Sequence, residues 1–305
     1  MKITVSKDGK GDFSSINEAI QALPGKDETV DIYVAAGIYS ERVNLKRNYV
    51  NLIGPDEGEA VITASEYAYR DHEDGLKVGT FRTATFMADC DHFYARNITF
   101  ENAAGQGKDV GQAIALYADG QHQIYENCKM LGYQDTVFTA PLPLKEKQPN
   151  GFLGEKQFAP RRPGQMLFKG CRIEGNIDYI FGGADARFEN CVIFTRKRSD
   201  AGDSYVTAAS TPEGQRLGYV FTDCKFETDA PAGTVYLGRP WREYAKTYFL
   251  HCEMDEGIAE EGFKDWGKPH ECFKYAEWKN YGPGASDKRV SYAIMFSDEE
   301  AKEYL

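Results

Sequence analysis

The chain has no long apolar run and no surplus of positive charge. Its 305 residues contain no stretch of about 18 apolar side chains, the length that a membrane-spanning helix needs. The 36 Lys and Arg residues are outnumbered by 47 Asp and Glu residues, which gives a formal net charge of −11. Proteins that bind nucleic-acid phosphates need a basic face. We therefore expect neither a membrane nor a nucleic-acid partner.

Common catalytic and metal-binding signatures are also missing. The sequence contains no G-x-S-x-G elbow, no H-E-x-x-H helix, no paired C-x-x-C, no phosphate loop and no G-x-G-x-x-G turn. Its five histidines are scattered along the chain. These absences argue against a serine hydrolase with a nucleophile elbow and against a zinc or nucleotide enzyme, and we expect neither a metal nor a cofactor.

The first residues, MKITVSKDGKGDF, contain no basic start followed by an apolar run and a small-residue cleavage site. The seven cysteines are an odd number in a chain of this length, which argues against a disulfide scaffold. We therefore expect a cytoplasmic protein. The alternative is an extracellular protein of which this chain is the trimmed mature form.

A six-residue pattern recurs five times between residues 125 and 254. Each copy has an aromatic residue, two further residues, a cysteine, one residue and an apolar side chain. The cysteines of the five copies are Cys128, Cys171, Cys191, Cys224 and Cys252. An earlier copy, residues 95–100, carries Ile98 at the cysteine position. Isoleucine cannot bind a metal or form a disulfide, so the pattern indicates stacked, buried side chains and free thiols.

Recurrence at irregular intervals of roughly 20 to 40 residues is typical of a solenoid. The repeats resemble short strands separated by Asn, Asp and Gly turns, and no helical pattern lies between them. The sequence therefore predicts an all-β fold, a right-handed parallel β-helix, formed by residues 1–305 as a single domain. Short helices are expected at the two ends, within residues 13–24 and after Ser297. Residues 140–165, rich in Pro, Gly and charge, are predicted to be a long loop insertion.

Five polar or charged residues interrupt apolar strand sequence. They are Gln112, Gln134, Asp135, Asp178 and Arg239. An acidic side chain flanked by Ile, Tyr and Phe is costly to bury unless it is paired or functional. The pattern alone leaves two interpretations open, because the corners of a β-helix coil also carry aspartate.

The segments around these five residues resemble those of the pectin methylesterases, a carbohydrate esterase family. The resemblance runs from ITVSKDGKGDFSSINEAIQALP through ARNITFENAAG, QAIALYADG, GYQDTVF, GNIDYIFGGA and LGRPW to YAEWKNYGPGA, nearly the whole chain. The long segment after Phe138 departs from the family pattern, as does the Asn-Ile pair before Asp178. Neither departure removes a residue of the matching motifs.

The resemblance implies a parallel β-helix and a role for each matching residue. Asp178 would be the nucleophile, Asp135 the general acid and then base, and Arg239 the partner of Asp178. Gln112 and Gln134 would donate to the oxyanion. The positions implied to contact substrate or line the cleft are Thr80, Phe138, Phe181 and Trp241. These roles agree with the chemistry of an ester hydrolase that uses neither serine nor a metal.

We expect a monomeric pectinesterase that releases methanol from methyl-esterified polygalacturonate or oligogalacturonate. Two alternatives stay open at this point. One is a β-helix lyase or glycosidase acting on an acidic polysaccharide, and the other is a non-catalytic polysaccharide-binding β-helix. For the loop insertion, with Lys145, Lys147, Lys156, Arg161 and Arg162 against two glutamates, we expect either a solvated excursion or a wall of the cleft that attracts substrate carboxylates.

Overall fold

The computed structural model describes residues 1–25 and 28–305. Within this part the chain forms 26 strands and three short α-helices. The strands are β1 Lys2–Val5, β2 Val30–Val34, β3 Gly37–Ser40, β4 Val43–Leu45, β5 Val50–Ile53, β6 Ala60–Ala64, β7 Phe86–Asp89, β8 Tyr94–Arg96, β9 Ile98–Asn102, β10 Leu116–Asp119, β11 Gln123–Glu126, β12 Lys129–Leu131, β13 Val137–Thr139, β14 Gln165–Lys169, β15 Arg172–Gly175, β16 Ile177–Gly182, β17 Asp185–Glu189, β18 Val192–Thr195, β19 Ser204–Ala209, β20 Tyr219–Thr222, β21 Lys225–Thr228, β22 Val235–Gly238, β23 Lys246–Leu250, β24 Glu253–Met254, β25 Lys274–Trp278 and β26 Ala293–Met295.

The strands build three parallel sheets, and each turn of the coil adds one strand to each sheet. Sheet A has the order β1-β2-β5-β8-β11-β14-β17-β20-β23-β25-β26, sheet B the order β24-β21-β18-β15-β12-β9-β6-β3, and sheet C the order β22-β19-β16-β13-β10-β7-β4. Successive strands along the chain therefore lie in different sheets and wind around one shared core. This is the right-handed parallel β-helix that the repeats predicted.

The cysteine repeat is the packing unit of the coil interior. Its aromatic residues stack face to face on sheet A, with ring centroids 4.8 Å apart for Tyr125 and Phe168 and 4.4 Å apart for Phe188 and Phe221. All seven cysteines are free, and the five of the repeat are buried. The Cys191 thiol donates a hydrogen bond at 3.3 Å to a backbone carbonyl oxygen of the preceding coil. The prediction of free, stacked cysteines is confirmed.

A single left-handed residue makes the corner between sheets A and B in each of these coils. It stands immediately before the cysteine, or before Ile98, and has φ between 52° and 61°. The corner residues are Asn97, Asn127, Gly170, Asn190, Asp223 and His251. Asn, Asp and Gly are the residues that tolerate this conformation best, which explains the turn-forming residue that the repeat carries at this position.

Helices occur where the sequence predicted them at both termini. Helix α1, Ile16–Gln21, is capped by Ser15 and buries Ile16 and Ala19 in the core next to the first coils. Helix α3, Asp298–Ala301, begins after Ser297, whose side chain accepts a hydrogen bond from the Glu300 backbone N–H. It packs Ala301 on the outward face of sheet A. Helix α2, Gly107–Val110, and a 3-10 turn, Thr80–Arg82, lie in loops. Among the described helices, none combines the length and the apolar composition that a membrane crossing requires.

Candidate active site

Successive coils bring the five predicted polar residues into one cleft on sheet C. Gln112, Gln134 and Asp135 precede the strands β10 and β13, Asp178 is the second residue of β16, and Arg239 follows β22. The Ala113 backbone N–H, next to Gln112, donates to the Gln134 carbonyl oxygen at 3.1 Å. The Asp135 N–H donates in turn to the Ile177 carbonyl oxygen at 3.0 Å, one residue before Asp178. Neighbouring strands of a sheet lie about 4.8 Å apart. Residues far apart in sequence therefore meet because each coil repeats the same turn.

Both aspartates adopt the left-handed backbone conformation. The φ angle is 63° at Asp135 and 50° at Asp178, and the register between β16 and β19 shifts between Ile177 and Ile180. A bulge of this kind redirects a side chain out of the regular alternation of a strand. It explains how a carboxyl group emerges on the cleft side from the apolar segment around Asp178.

Arg239 holds Asp178 through two hydrogen bonds. The guanidinium Nε donates to Oδ1 at 2.8 Å and Nη2 donates to Oδ2 at 2.7 Å. The guanidinium carbon lies 3.8 Å from the ring centroid of Tyr205 and 3.9 Å from that of Trp266, so two aromatic rings fix its position. Burial raises the pKa of Asp178, and the hydrogen bonds and charge of Arg239 oppose that rise. The pair is suited to keeping Asp178 ionised.

Asp135 is equally buried but has no such partner. Both aspartates are 8% exposed. In residues 1–25 and 28–305, no side chain forms a hydrogen bond with the Asp135 carboxyl group. The hydrogen bond that Asp135 forms in this part of the chain is donated by its backbone N–H. Burial raises the pKa of Asp135 well above its usual range, and the charge of Asp178 raises it further while Arg239 opposes. Of the two carboxyl groups, Asp135 is therefore the one that retains its proton to higher pH.

Gln112 and Gln134 turn their side chains toward the same cleft. Neither amide group has a hydrogen-bond partner within the described part of the chain, so both remain able to donate to a ligand. Gln134 packs tightly against helix α2, where a Cβ on Gly107 would lie 2.7 Å from the Gln134 Cβ. A larger residue than glycine at position 107 would collide with the Gln134 side chain.

Three of the four predicted substrate-contacting residues line the cleft, namely Thr80, Phe181 and Trp241. Phe138 does not, and this expectation is corrected. Its side chain is fully buried. The ring of Phe81 lies 5.0 Å from that of Phe138 and covers it, and Phe152 of the loop insertion packs 5.8 Å from Phe81. Phe138 therefore supports the aromatic layer beneath the cleft without reaching its surface.

The cleft has a volume of about 290 Å³. Its lining residues are Thr80, Phe81, Gln112, Gln134, Asp135, Lys147, Gln148, Gly151, Phe152, Asp178, Phe181, Ala208, Arg239, Trp241, Arg242 and Trp266. Sequence reasoning missed Phe81 and Trp266, for which no motif or spacing gave a signal. Four lining residues, between Lys147 and Phe152, come from the loop insertion, which forms one wall of the cleft.

Two carboxyl groups with different partners, two free amides and one arginine form a complete set for acid-base and nucleophilic chemistry at a carbonyl group. No group of three or more His, Cys, Asp or Glu side chains in the described ranges is arranged to hold a metal ion. The fold and the cleft thus define a class, the parallel β-helix proteins with a carboxylate-based site on one sheet.

Comparison with known proteins narrows this class. The sequence model of the family described as Pectinesterase matches residues 2–142 and 162–305, and the segment left out lies within the loop insertion. A pectinesterase of Petunia integrifolia is 33% identical, over 99% of this chain and 77% of its own length. Pectinesterase 31 of Arabidopsis thaliana is 30% identical, over 99% of this chain and 90% of its own length. The chain belongs to the pectinesterase family.

Solved structures agree with this assignment. A pectin methylesterase from Erwinia chrysanthemi superimposes with a TM-score of 0.81 at 29% identity, covering 99% of this chain and 95% of its own. Carrot pectin methylesterase superimposes with a TM-score of 0.82 at 28% sequence identity, covering 98% of this chain and 89% of its own. Other Arabidopsis thaliana relatives are longer; the chain spans 55% of one named probable pectinesterase/pectinesterase inhibitor 17, at 31% identity.

Proposed function

We propose that this protein hydrolyses the methyl esters of galacturonate residues in pectin or oligogalacturonates and releases methanol. The observation that carries the proposal is the contrast between the two buried carboxyl groups. Arg239 holds that of Asp178, whereas no side chain of the described residues forms a hydrogen bond with that of Asp135. An ionised carboxylate beside a protonated carboxyl group supplies both the nucleophile and the acid that ester cleavage needs.

The proposed reaction begins when the Asp178 carboxylate attacks the ester carbonyl carbon. The negative charge moves to the carbonyl oxygen, where the amide N–H groups of Gln112 and Gln134 donate to it. When the bond to the methoxy oxygen breaks, Asp135 gives that oxygen its proton and methanol leaves. An anhydride then joins Asp178 to the substrate.

Water completes the cycle. The Asp135 carboxylate, now ionised, removes a proton from water, and the resulting hydroxide attacks the anhydride. The adduct separates into the product carboxylic acid and the Asp178 carboxylate, and Asp135 is again protonated. The product acid then releases its proton to bulk water and leaves as a carboxylate. In these steps Asp178 and water supply the attacking oxygen atoms, and Asp135 first gives and then regains a proton.

The test separates the esterase from the other two functions. The full chain is incubated with highly methyl-esterified pectin, and methanol, reducing ends and unsaturated ends are measured together. We expect methanol without chain shortening. New reducing or unsaturated ends without methanol would indicate a glycosidase or a lyase, and the absence of all three products would indicate a binding protein.

A parallel reaction with a chelator tests the completeness of the site. Because the chain's own groups supply the nucleophile, the acid and the oxyanion donors, we expect the rate of methanol release to be unchanged. A loss of activity restored by calcium would contradict the proposed mechanism.

The proposal further includes a monomeric enzyme in a reducing compartment. The seven unpaired thiols support the reducing compartment, because they are typical of proteins that are not exposed to an oxidising environment. Size-exclusion chromatography with light scattering tests the oligomeric state, and fractionation of the source cells tests the compartment.

A further inference from the structure

The charge of the loop insertion is distributed unevenly over the structure. Lys156 forms ion pairs with Asp89 at 2.6 Å and Asp119 at 3.0 Å, and Arg162 pairs with Asp91 at 2.6 Å. Arg161 donates to four backbone carbonyl oxygens between residues 143 and 159. These three side chains fasten the insertion to the coil or to itself, so the insertion as a whole is not a free positive surface.

Lys147 is different because it enters the cleft. Its ammonium group lies 4.9 Å from the ring centroid of Trp266, the same ring that stacks on Arg239. Lys268 approaches this ring as well, at 5.7 Å. Arg242 also lines the cleft, and its Nη2 donates at 3.1 Å to the carbonyl oxygen of Lys145. We call Lys147, Arg242 and Lys268 the basic rim.

The basic rim has no acidic partner of its own. Across residues 1–25 and 28–305, none of its three side chains forms an ion pair with an Asp or Glu side chain, whereas Lys156 and Arg162 of the insertion do. Glu146, the nearest acid in sequence, accepts a hydrogen bond from the Gly151 N–H within the insertion. Of the three residues, Lys147 is exposed, and Arg242 and Lys268 are partly buried. Cations held this close together repel one another unless a ligand supplies negative charge.

A second cavity beside the first shows the opposite arrangement. Its three arginines each pair with an acid of the protein. Arg42, at 3.8 Å, and Arg70 share Glu66, and Arg82 pairs with Asp74 at 2.7 Å. That cavity carries no unmatched charge that a ligand would have to neutralise. The basic rim is therefore the feature of the cleft region that selects for an anion.

We propose that the basic rim binds the free carboxylate of a galacturonate residue near the scissile ester, so that the enzyme favours chains that are already partly de-esterified. The inference rests on the proposed esterase function and names its preferred substrate class. The protein's net charge of −11 repels a polyanionic chain at long range, so a local cationic site is needed to hold one. The partly de-esterified chain must be supplied by an earlier de-esterification, by this enzyme or by another.

The surroundings of Lys147 predict a pH signature for this preference. Burial and the nearby charges of Lys268, Arg242 and Arg239 together lower the pKa of Lys147 to about 8. The charge of Lys147 in turn acts against the rise that burial causes in the pKa of Asp178. Lys147 is charged below this pKa and neutral above it, so the affinity for free carboxylates is present at lower pH and falls as the pH rises through about 8.

The test compares Lys147→Gln and the double variant Lys147→Gln/Lys268→Gln with Lys145→Gln. Lys145 lies two residues away in the same insertion and its side chain is exposed, which makes it a matched control. Methanol release is measured on a fully methyl-esterified and on a partly de-esterified hexagalacturonate. Binding of the fully de-esterified hexagalacturonate is measured by calorimetry at pH 6 and pH 9.

We expect the double variant to raise KM for the partly de-esterified substrate roughly tenfold, since removing charged contacts weakens binding by about this factor. KM for the fully esterified substrate and kcat on both should stay within twofold, and Lys145→Gln should match wild type. Equal losses on both substrates would overturn the proposal, because Lys147 would then act through Asp178. An effect of Lys145→Gln as large as that of Lys147→Gln would also overturn it.

The calorimetric measurement keeps the inference separate from the proposed function. If wild type released no methanol from either substrate, the esterase proposal would fail, yet the de-esterified hexagalacturonate would still report on the basic rim. The proposal is supported if Lys147→Gln binds this ligand more weakly than wild type does, and if wild type binds it more weakly at pH 9 than at pH 6. Binding that is equal in all variants and at both pH values refutes it.

Discussion

Two corners of the coil, at Asp223 and at Asp178, have nearly the same backbone and opposite surroundings. Their φ angles are 53° and 50°. Asp223 stands between sheets A and B, where its side chain is 49% exposed and contacts His251, itself half exposed. Asp178 is the second residue of β16 in sheet C, where its side chain is 11% exposed and held by Arg239 from two coils away. The comparison shows that a left-handed aspartate is not by itself a catalytic group. Its burial and the side chains around it determine whether it can act in a reaction.

The difference in surroundings comes from what covers the two sides of the coil. Around Asp178 the outward face of sheet C is covered by an aromatic layer, by the loop insertion and by the turn that carries Trp266. These segments leave Asp178 only 8% exposed, which strengthens its interaction with Arg239. Asp223 has no such cover, and water screens its charge.

The largest expected effect separates these two corners directly. Asp178→Asn should preserve the fold and lower kcat for methanol release by at least about 10³-fold, because a neutral amide cannot attack the ester carbonyl. Asp223→Asn places the same substitution in the same backbone conformation and should leave kcat within twofold. Comparable losses in both variants would mean that corner geometry, and not the surroundings, explains the activity.

The sequence predicted the coil better than it predicted the cleft. The repeat around Cys128, Cys171 and their equivalents specifies the interior because each copy packs on the next, and local spacing is enough to reveal such packing. Trp266 is placed against Arg239 by a turn that carries no repeat, so only the assembled chain shows the contact. Phe138 was predicted to line the cleft, and this was wrong because the cover supplied by Phe81 is a tertiary feature.

The second effect concerns the partner carboxyl group. Asp135→Asn should lower kcat by about 10²- to 10⁴-fold, since the leaving methoxide loses its proton donor. In wild type the raised pKa of Asp135 predicts that activity falls on the alkaline side, where this group loses its proton. A pH-rate profile of kcat checks both points. An unchanged alkaline limb in Asp135→Asn, with kcat within tenfold of wild type, would remove Asp135 from the mechanism.

The third effect is that of the oxyanion donors. Gln112→Leu and Gln134→Leu preserve side-chain size and remove the amide, so each should lower kcat by about 10²- to 10³-fold with little change in KM. Steady-state kinetics on one methyl-esterified oligogalacturonate measures the split. A rise in KM at constant kcat would show that these amides bind the ground state and not the developing oxyanion.

The smallest expected effect lies in the coil interior. Burial raises the pKa of the Cys171 thiol well above its usual value and that of Cys90 to about 12, which suppresses the reactive thiolate. A thiol reagent added to the native protein should modify Cys272, the one cysteine that is not fully buried, and leave activity unchanged. Mass spectrometry counts the adducts. Rapid modification of the stacked cysteines, or three native disulfides, would contradict the packing described for the coil.

The central claim, that surroundings divide the two buried carboxyl groups into a nucleophile and an acid, is tested most directly by their order of ionisation. Proteins labelled with ¹³C at the aspartate carboxyl carbon are titrated by NMR, and the two signals are assigned from Asp178→Asn and Asp135→Asn. Because the groups are coupled, the titration is followed as two steps of the pair. The account predicts that the step at lower pH belongs to Asp178 and the step at higher pH to Asp135. The reverse order, or two carboxyl groups that ionise together in the range of exposed aspartates, would contradict it.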